Sequence, residues 1–192
     1  SKLYVDDAAD LIEELPANLV TKVLKNTSAT KRKTINEILK YPEDSAGSIM
    51  TTEYVDLHKN DTVKDAFDRI RKIGLKKETV YTCYVIDSDR HLLGVTTVKD
   101  LLMEDYETKL VDVMEENVIT VSTTEDKEEV SKMFDKYDFL ALPVIDSENR
   151  LVGIVTIDDA FDVMSEESEE DFEKMAAMAP SEDVYLKEPI FR

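Results

Sequence analysis

Residues 84–100 of this chain, Tyr-Val-Ile-Asp-Ser-Asp-Arg-His-Leu-Leu-Gly-Val-Thr-Thr-Val-Lys-Asp, return in register as residues 143–159, Pro-Val-Ile-Asp-Ser-Glu-Asn-Arg-Leu-Val-Gly-Ile-Val-Thr-Ile-Asp-Asp, with eight of 17 positions identical. This duplication constrains the fold more than any other feature, because one structural solution must serve twice. Each copy reads as strand, tight turn, strand, then helix. β-Branched residues dominate the flanking runs, and the Asp-Ser pairs Asp87-Ser88 and Asp146-Ser147 favour turns. Thr97 and Thr156 are placed to cap the helices that follow. The duplication extends upstream. Ile49-Met50 precedes a short strand (Tyr54, Val55, Leu57) and an amphipathic helix with Val63, Ala66, Phe67 and Ile70. Val113-Met114 likewise precedes Val118, Ile119, Val121 and a helix with Val130, Met133 and Phe134. Two β-α-β-β-α units result. One alone could hardly bury both faces of its sheet, so the pair is expected to pack as one module.

Both flanks read as helical. Ala8, Leu11, Ile12 and Leu15 recur at helical spacing, Pro16 is placed to open a second helix, and Leu19, Val23 and Leu24 continue it. A third helix carries Ile35, Ile38 and Leu39, with Thr30 as the expected N-cap and Tyr41-Pro42 as the stop. At the other end, nine acids and no base fall between Asp158 and Glu173. On a helix Asp159, Asp162, Glu166 and Glu170 share one face, while Phe161, Met164, Ser168, Phe172 and Met175 share another. Like charges at this spacing destabilise a helix by roughly 0.2–0.5 kcal/mol per pair, so such a ladder needs an external reason for order. The apolar stripe argues that the helix docks on something. The fold class expected is therefore α+β/α: a tandem pair of β-α-β-β-α repeats, preceded by short helices and followed by a long acidic helix.

Composition removes several functions. Forty-three acids against 24 bases leave a net charge of −19, which repels phosphate backbones and argues against nucleic-acid binding. No run approaches the ~20 apolar residues that cross a bilayer, and the N-terminus lacks a secretory-signal pattern, so the chain taken alone is expected to be soluble. Cys83 is the only cysteine, which excludes an intramolecular disulfide and a CxxC metal site, and its apolar surroundings suit a buried core residue. No Gly-rich phosphate loop, GxSxG or HExxH is present, so the chain is not expected to be an enzyme.

The repeated order Met…Val-Ile-Asp…Leu-x-Gly-[Val/Ile]-x-Thr-x-x-Asp resembles the tandem CBS domain. The flanks resemble the MgtE family of magnesium channels. Tyr41-Pro-Glu-Asp-Ser-Ala-Gly-Ser-Ile-Met-Thr-Thr-Glu-Tyr-Val55 is similar to that family's junction between a helical N domain and its CBS pair. Tyr137-Asp-Phe-Leu-Ala-Leu-Pro-Val144 and Ile157-Asp-Asp-Ala-Phe-Asp-Val-Met164 are similar to its second CBS motif, and Glu188-Pro-Ile-Phe-Arg192 to the stretch before its first membrane helix. The resemblance implies residues 1–46 as the end of the N domain, 47–107 and 108–163 as the CBS motifs, 158–179 as an acidic connecting (plug) helix and 180–192 as a pre-membrane tail.

The resemblance also implies a function: Mg²⁺ bridging carboxylates between domains and favouring a compact, pore-closed state. The implied ligands are Asp135 and Asp138, then Asp159, Asp162, Glu167, Glu170 and Asp171 along the connecting helix, with Glu128, and loosely Asp6, Asp7 and Asp10. Ser48 stands where the family often has glycine. Oxygen-only donors with no nearby His or Cys suit Mg²⁺. A homodimer through the CBS pair, a pore domain after Arg192 and a place at the cytoplasmic face of the membrane are implied as well. CBS pairs elsewhere hold ATP or another adenine nucleotide, and here Thr97, Lys99, Asp100, Phe139 and Thr156 fit that alternative. Its rival is plain helix capping, with Thr as cap and Asp in the first turn.

Overall fold

The structure is a computed structural model and describes residues 8, 9, 11, 12, 15 and 17–178. Asp6, Asp7, Asp10, Pro16 and the 180–192 tail lie outside the described residues. Helices α1 (Ala17–Asn26) and α2 (Ala29–Ile38) come first. They build a small core of their own, in which Ala9, Ile12, Ile35 and Ile38 are buried and Val23, Leu24 and Leu39 pack around them. The N-cap of α2 is Ser28 and not Thr30: the Ser28 side chain accepts from the Lys31 N–H, which leaves Thr30 inside the first turn.

The first repeat runs β1 (Val55–His58), α3 (Val63–Ile73), β2 (Thr82–Ile86), β3 (Leu92–Thr97) and α4 (Val98–Met103). After a short α5 (Leu110–Val113), the second runs β4 (Val121–Ser122), α6 (Lys127–Tyr137), β5 (Ala141–Ile145), β6 (Leu151–Thr156) and α7 (Ile157–Met178). Each three-stranded sheet has its first strand parallel to the second and the second antiparallel to the third. Even the ladder irregularity repeats, at Val85/Ile86 and Val144/Ile145. The first strand of the second repeat is shorter than the sequence suggests, since Val118 and Ile119 stay outside β4.

The repeats share a core. Tyr54, Tyr84 and Ile86 from the first meet Ala141, Leu151 and Ile154 from the second between the two sheets. They are also joined by exchanged arms. Residues 44–51, ahead of the first repeat, are stitched to the second: Ala46 N–H donates to Glu125 O (2.7 Å), Lys127 N–H to Asp44 O (3.0 Å), and Thr51 and Ile154 exchange two backbone bonds (2.8 and 2.9 Å). Residues 106–115, ahead of the second, are stitched to the first: Lys64 N–H donates to Tyr106 O, Leu110 N–H to Asp61 O, and Val95 and Glu115 exchange two bonds (3.0 and 2.8 Å). The repeated glycines explain themselves here. A Cβ on Gly153 would stand 2.5 Å from Met50 Sδ, and one on Gly94 would stand 2.8 Å from Met114 Sδ. Each arm methionine thus lies over the glycine of the opposite repeat.

Cys83 is fully buried among Val55, Leu57, Val63 and Leu101, and burial pushes its thiol up to about 12. Since only the thiolate attacks, Cys83 is expected to be inert to Ellman's reagent at pH 8 in the folded chain and to react at once in denaturant. Prompt reaction without denaturant would contradict this packing.

Candidate functional site

Most of the implied metal ligands lie on the α6–α7 pair. Asp126 starts α6 by accepting from the Glu128 and Glu129 N–H groups (2.9 and 3.2 Å). The helix ends at Asp138 in the left-handed region (φ 54°), a conformation that a short polar side chain tolerates. Helix α7 begins directly after β6, where Thr156 Oγ1 lies within hydrogen-bond reach of Asp158 and Asp159, and Asp159 also accepts from Thr156 N–H (3.4 Å). Ala160 and Val163 turn inward. The helices run antiparallel. A groove of about 250 Å³ between them is lined by Phe134, Asp135 and Asp138 from one side and by Ile157, Ala160, Phe161 and Met164 from the other.

At the far end of this interface Glu128, in the first turn of α6, meets Glu167 on α7, both half-buried. The charge of Glu167, then burial, then a hydrogen bond between the two carboxyl groups raise the Glu128 pKa above its ordinary value. A carboxyl whose ionisation is opposed by a facing carboxylate favours a proton or a divalent cation. The donors are oxygen only, the set that a hard cation takes.

The other implied ligands are arranged differently. Asp159 is engaged with Thr156, and Glu170 is paired with Lys174 (3.0 Å), just beyond the base-free run. Asp135, Asp162 and Asp171 are exposed. The apolar stripe separates as well: Met164 is half-buried, while Phe161, Phe172 and Met175 are 66%, 74% and 72% exposed. Within this chain the face of α7 that docks is instead Ala160, Val163 and Met164.

Among the described residues, one group of three potential ligands does draw its donor atoms within 4.8 Å of one another: Asp87, Asp89 and His91. Sequence reasoning passed over it, and the second repeat explains it. There Arg150 pairs with Asp146 (2.8 Å) and Glu148 (3.0 Å) as His91 Nδ1 pairs with Asp87 Oδ2 (2.9 Å). A guanidinium in the equivalent place marks a turn that wants a side-chain cation.

Of the residues fitting a nucleotide, Thr97 and Asp100 come together. They form a capping box on α4 and line a cleft of about 310 Å³ with Val95, Thr96, Met114 and Glu115. Lys99 is exposed beside it. Thr156 occupies the matching position in the second repeat and is buried. Phe139 is outside the lining of this cleft and packs on Tyr137 with ring centroids 5.5 Å apart. The cleft adds Thr96, whose buried Oγ1 has no hydrogen-bond partner. The sequence does carry a sign of it, because Thr96 aligns with Val155 in the other repeat.

Comparison with known proteins agrees with this architecture. The CBS domain model matches residues 46–107 and 110–166, and the MgtE intracellular N domain model matches residues 1–44. The magnesium transporter MgtE of Bacillus subtilis (strain 168) is 40% identical over 177 residues, covering 92% of this chain and 39% of the relative, so the chain spans well under half of that protein. The soluble part of a magnesium transporter superposes with a TM-score of 0.82 at 40% identity, covering 85% of this chain and 64% of that one. The cytosolic domain of the Mg²⁺ channel MgtE in complex with ATP gives 0.80 at 38% identity, covering 84% and 66%. With both repeats matched and an MgtE N-domain segment ahead of them, the chain belongs to the CBS-domain family in its MgtE arrangement.

Proposed function

We propose that this chain is the Mg²⁺-sensing regulatory region of a magnesium channel or transporter, working at the cytoplasmic face of the membrane and without enzymatic activity of its own. The observation that carries the reading is the Glu128–Glu167 pair, two half-buried carboxyls held against each other across α6 and α7. A divalent cation relieves that repulsion. Asp162 and Asp171, exposed along α7, and Asp135 and Asp138 beside its first turns offer further carboxylates to a second domain or a second copy. In a homodimer built on the CBS pair, hydrated Mg²⁺ ions between such faces would compact the assembly. The pore domain that follows in the full-length protein would then sit under a fixed α7. Ligand binding shifts the population towards whichever state holds the ion more tightly.

Small-angle scattering across a Mg²⁺ titration tests this, with K⁺ series matched for ionic strength. Compaction with Mg²⁺ alone is expected, weakened in the variant carrying Asp162→Asn with Glu170→Gln. Equal behaviour in both salt series would leave α7 a solvated linker and remove the proposal.

A second reading stands beside it. The Thr97–Asp100 cleft with the unpaired Thr96 hydroxyl suits ATP or another adenine nucleotide as an additional ligand, in keeping with the ATP held by the MgtE cytosolic domain compared above.

A further inference from the structure

A third cavity, of about 570 Å³, lies between α2 and the paired repeats and shares no lining residue with the α6–α7 groove or the Thr97–Asp100 cleft. Its volume is that of a small-molecule site. Thr34, Glu37 and Tyr41 come from α2 and the residues just after it, and Thr52, Tyr54 and Arg90 come from the first repeat.

Arg90 is the informative residue. It sits in the turn between β2 and β3 with φ 71°, and its counterpart in the second repeat is Asn149 with φ 59°. Asparagine is at ease in the left-handed region and arginine is not, so turn chemistry alone would place asparagine at both positions. The arginine side chain answers to something else. Its Nη2 donates to Tyr54 Oη (2.5 Å) and to Leu151 O (3.1 Å), which fixes the guanidinium plane across the two repeats. Among the described residues no protein acceptor is bonded to Nε or Nη1. A guanidinium held in place with an open edge is the usual means of gripping a carboxylate or phosphate. Lys40 adds a second cation and Glu37 is the one acid in the lining, so the cavity carries a net +1 in a chain of −19. The lining also carries apolar side chains: the half-buried Tyr41 ring, Ile38, Leu151 and Val152.

We propose that this cavity binds a small organic anion carrying a flat ring, with its charge on Arg90 and its ring against Tyr41 and Leu151. Such a ligand touches both α2 and the repeats, so its binding stabilises their docked arrangement by mass action.

The test is an NMR titration of the ¹⁵N-labelled chain with 2-naphthoate. Saturable shifts are expected at Thr34, Thr52 and Arg90. The neutral analogue 2-naphthalenemethanol should bind about tenfold more weakly or worse, since it lacks the charge-assisted bonds. Arg90→Asn, the residue that the second repeat uses in the same turn, should weaken 2-naphthoate to a similar degree. Thr34→Glu, a surface change on α2, should do so by repulsion without touching the turn. Equal binding of the neutral analogue, unchanged binding in both variants, or shifts centred on Thr97 and Asp100 would each overturn the proposal.

Discussion

Gly153→Val should cost the chain about 3 kcal/mol of stability in urea unfolding at pH 7, more than its position on a short strand suggests. The first carbon added at residue 153 meets Met50 Sδ at 2.5 Å, Met50 Cγ at 2.9 Å and the Thr51 carbonyl oxygen at 2.9 Å. The methionine can swing aside. The carbonyl cannot, because it accepts the Ile154 N–H and holds the first arm on β6. Gly153→Ala combined with Met50→Ala should therefore recover only part of the loss. Gly94→Val should behave in parallel, since its neighbours are Met114 Sδ and the Glu115 oxygen, both at 2.8 Å. Wild-type midpoints for both valine variants would mean that the arms are not exchanged as described.

The second large effect concerns Mg²⁺. Glu128→Gln removes one member of the facing pair, and the Mg²⁺ concentration at half-response in a thermal-shift titration should rise about tenfold or more, the usual consequence of losing a group at a metal site. In metal-free buffer at pH 7 the same variant should melt higher than wild type, because the like-charge contact with Glu167 is gone. The pH dependence follows from the raised Glu128 pKa, whose main cause is the charge of Glu167. A raised carboxyl binds its proton more readily in the folded chain than in the unfolded one. Its contribution to stability is therefore complete below the ordinary value of 4.5 and is lost as the pH rises through the raised value. Protons and Mg²⁺ compete for Glu128, so the Mg²⁺ midpoint should move upward on acidification from pH 7 to pH 5. A midpoint indifferent to Glu128→Gln and to pH would place Mg²⁺ elsewhere.

Much of this architecture is legible in the chain itself. The strands, turns and caps of the repeats follow from β-branched runs, Asp-Ser turns and Thr-x-x-Asp, because those signals are local. The exchanged arms are not legible, since periodicity names the elements and is silent about their partners. Only the pairing of Met50 with Gly153 and Met114 with Gly94 hints at them, and it needs the structure to be understood. The same division runs through the candidate site. Helical spacing correctly gathers Asp159, Asp162 and Glu170 on one helix. It cannot tell that Thr156 engages Asp159, that Lys174 engages Glu170, or that Glu128 lies opposite Glu167 from a distant helix. The hydrophobic stripe on α7 is realised only in part: Phe161 and Met164 line the groove against α6, Ala160 and Val163 pack inward beside them, and Phe172 and Met175 stay exposed.

The arm ahead of the first repeat has a mechanical consequence. It leaves α2, passes along the start of α6 through Ala46 and Gly47, and is bonded at Thr51 to Ile154, three residues before α7 begins. The N-terminal helices are thus tied to the root of the acidic helix as well as to the repeat that follows them in sequence, where Lys31 pairs with Glu53 (3.5 Å). A displacement of α2 therefore has a direct route, along the chain and through the Thr51–Ile154 bonds, to the foot of α7. Severing the tether, and not merely loosening either end, is what would uncouple the two.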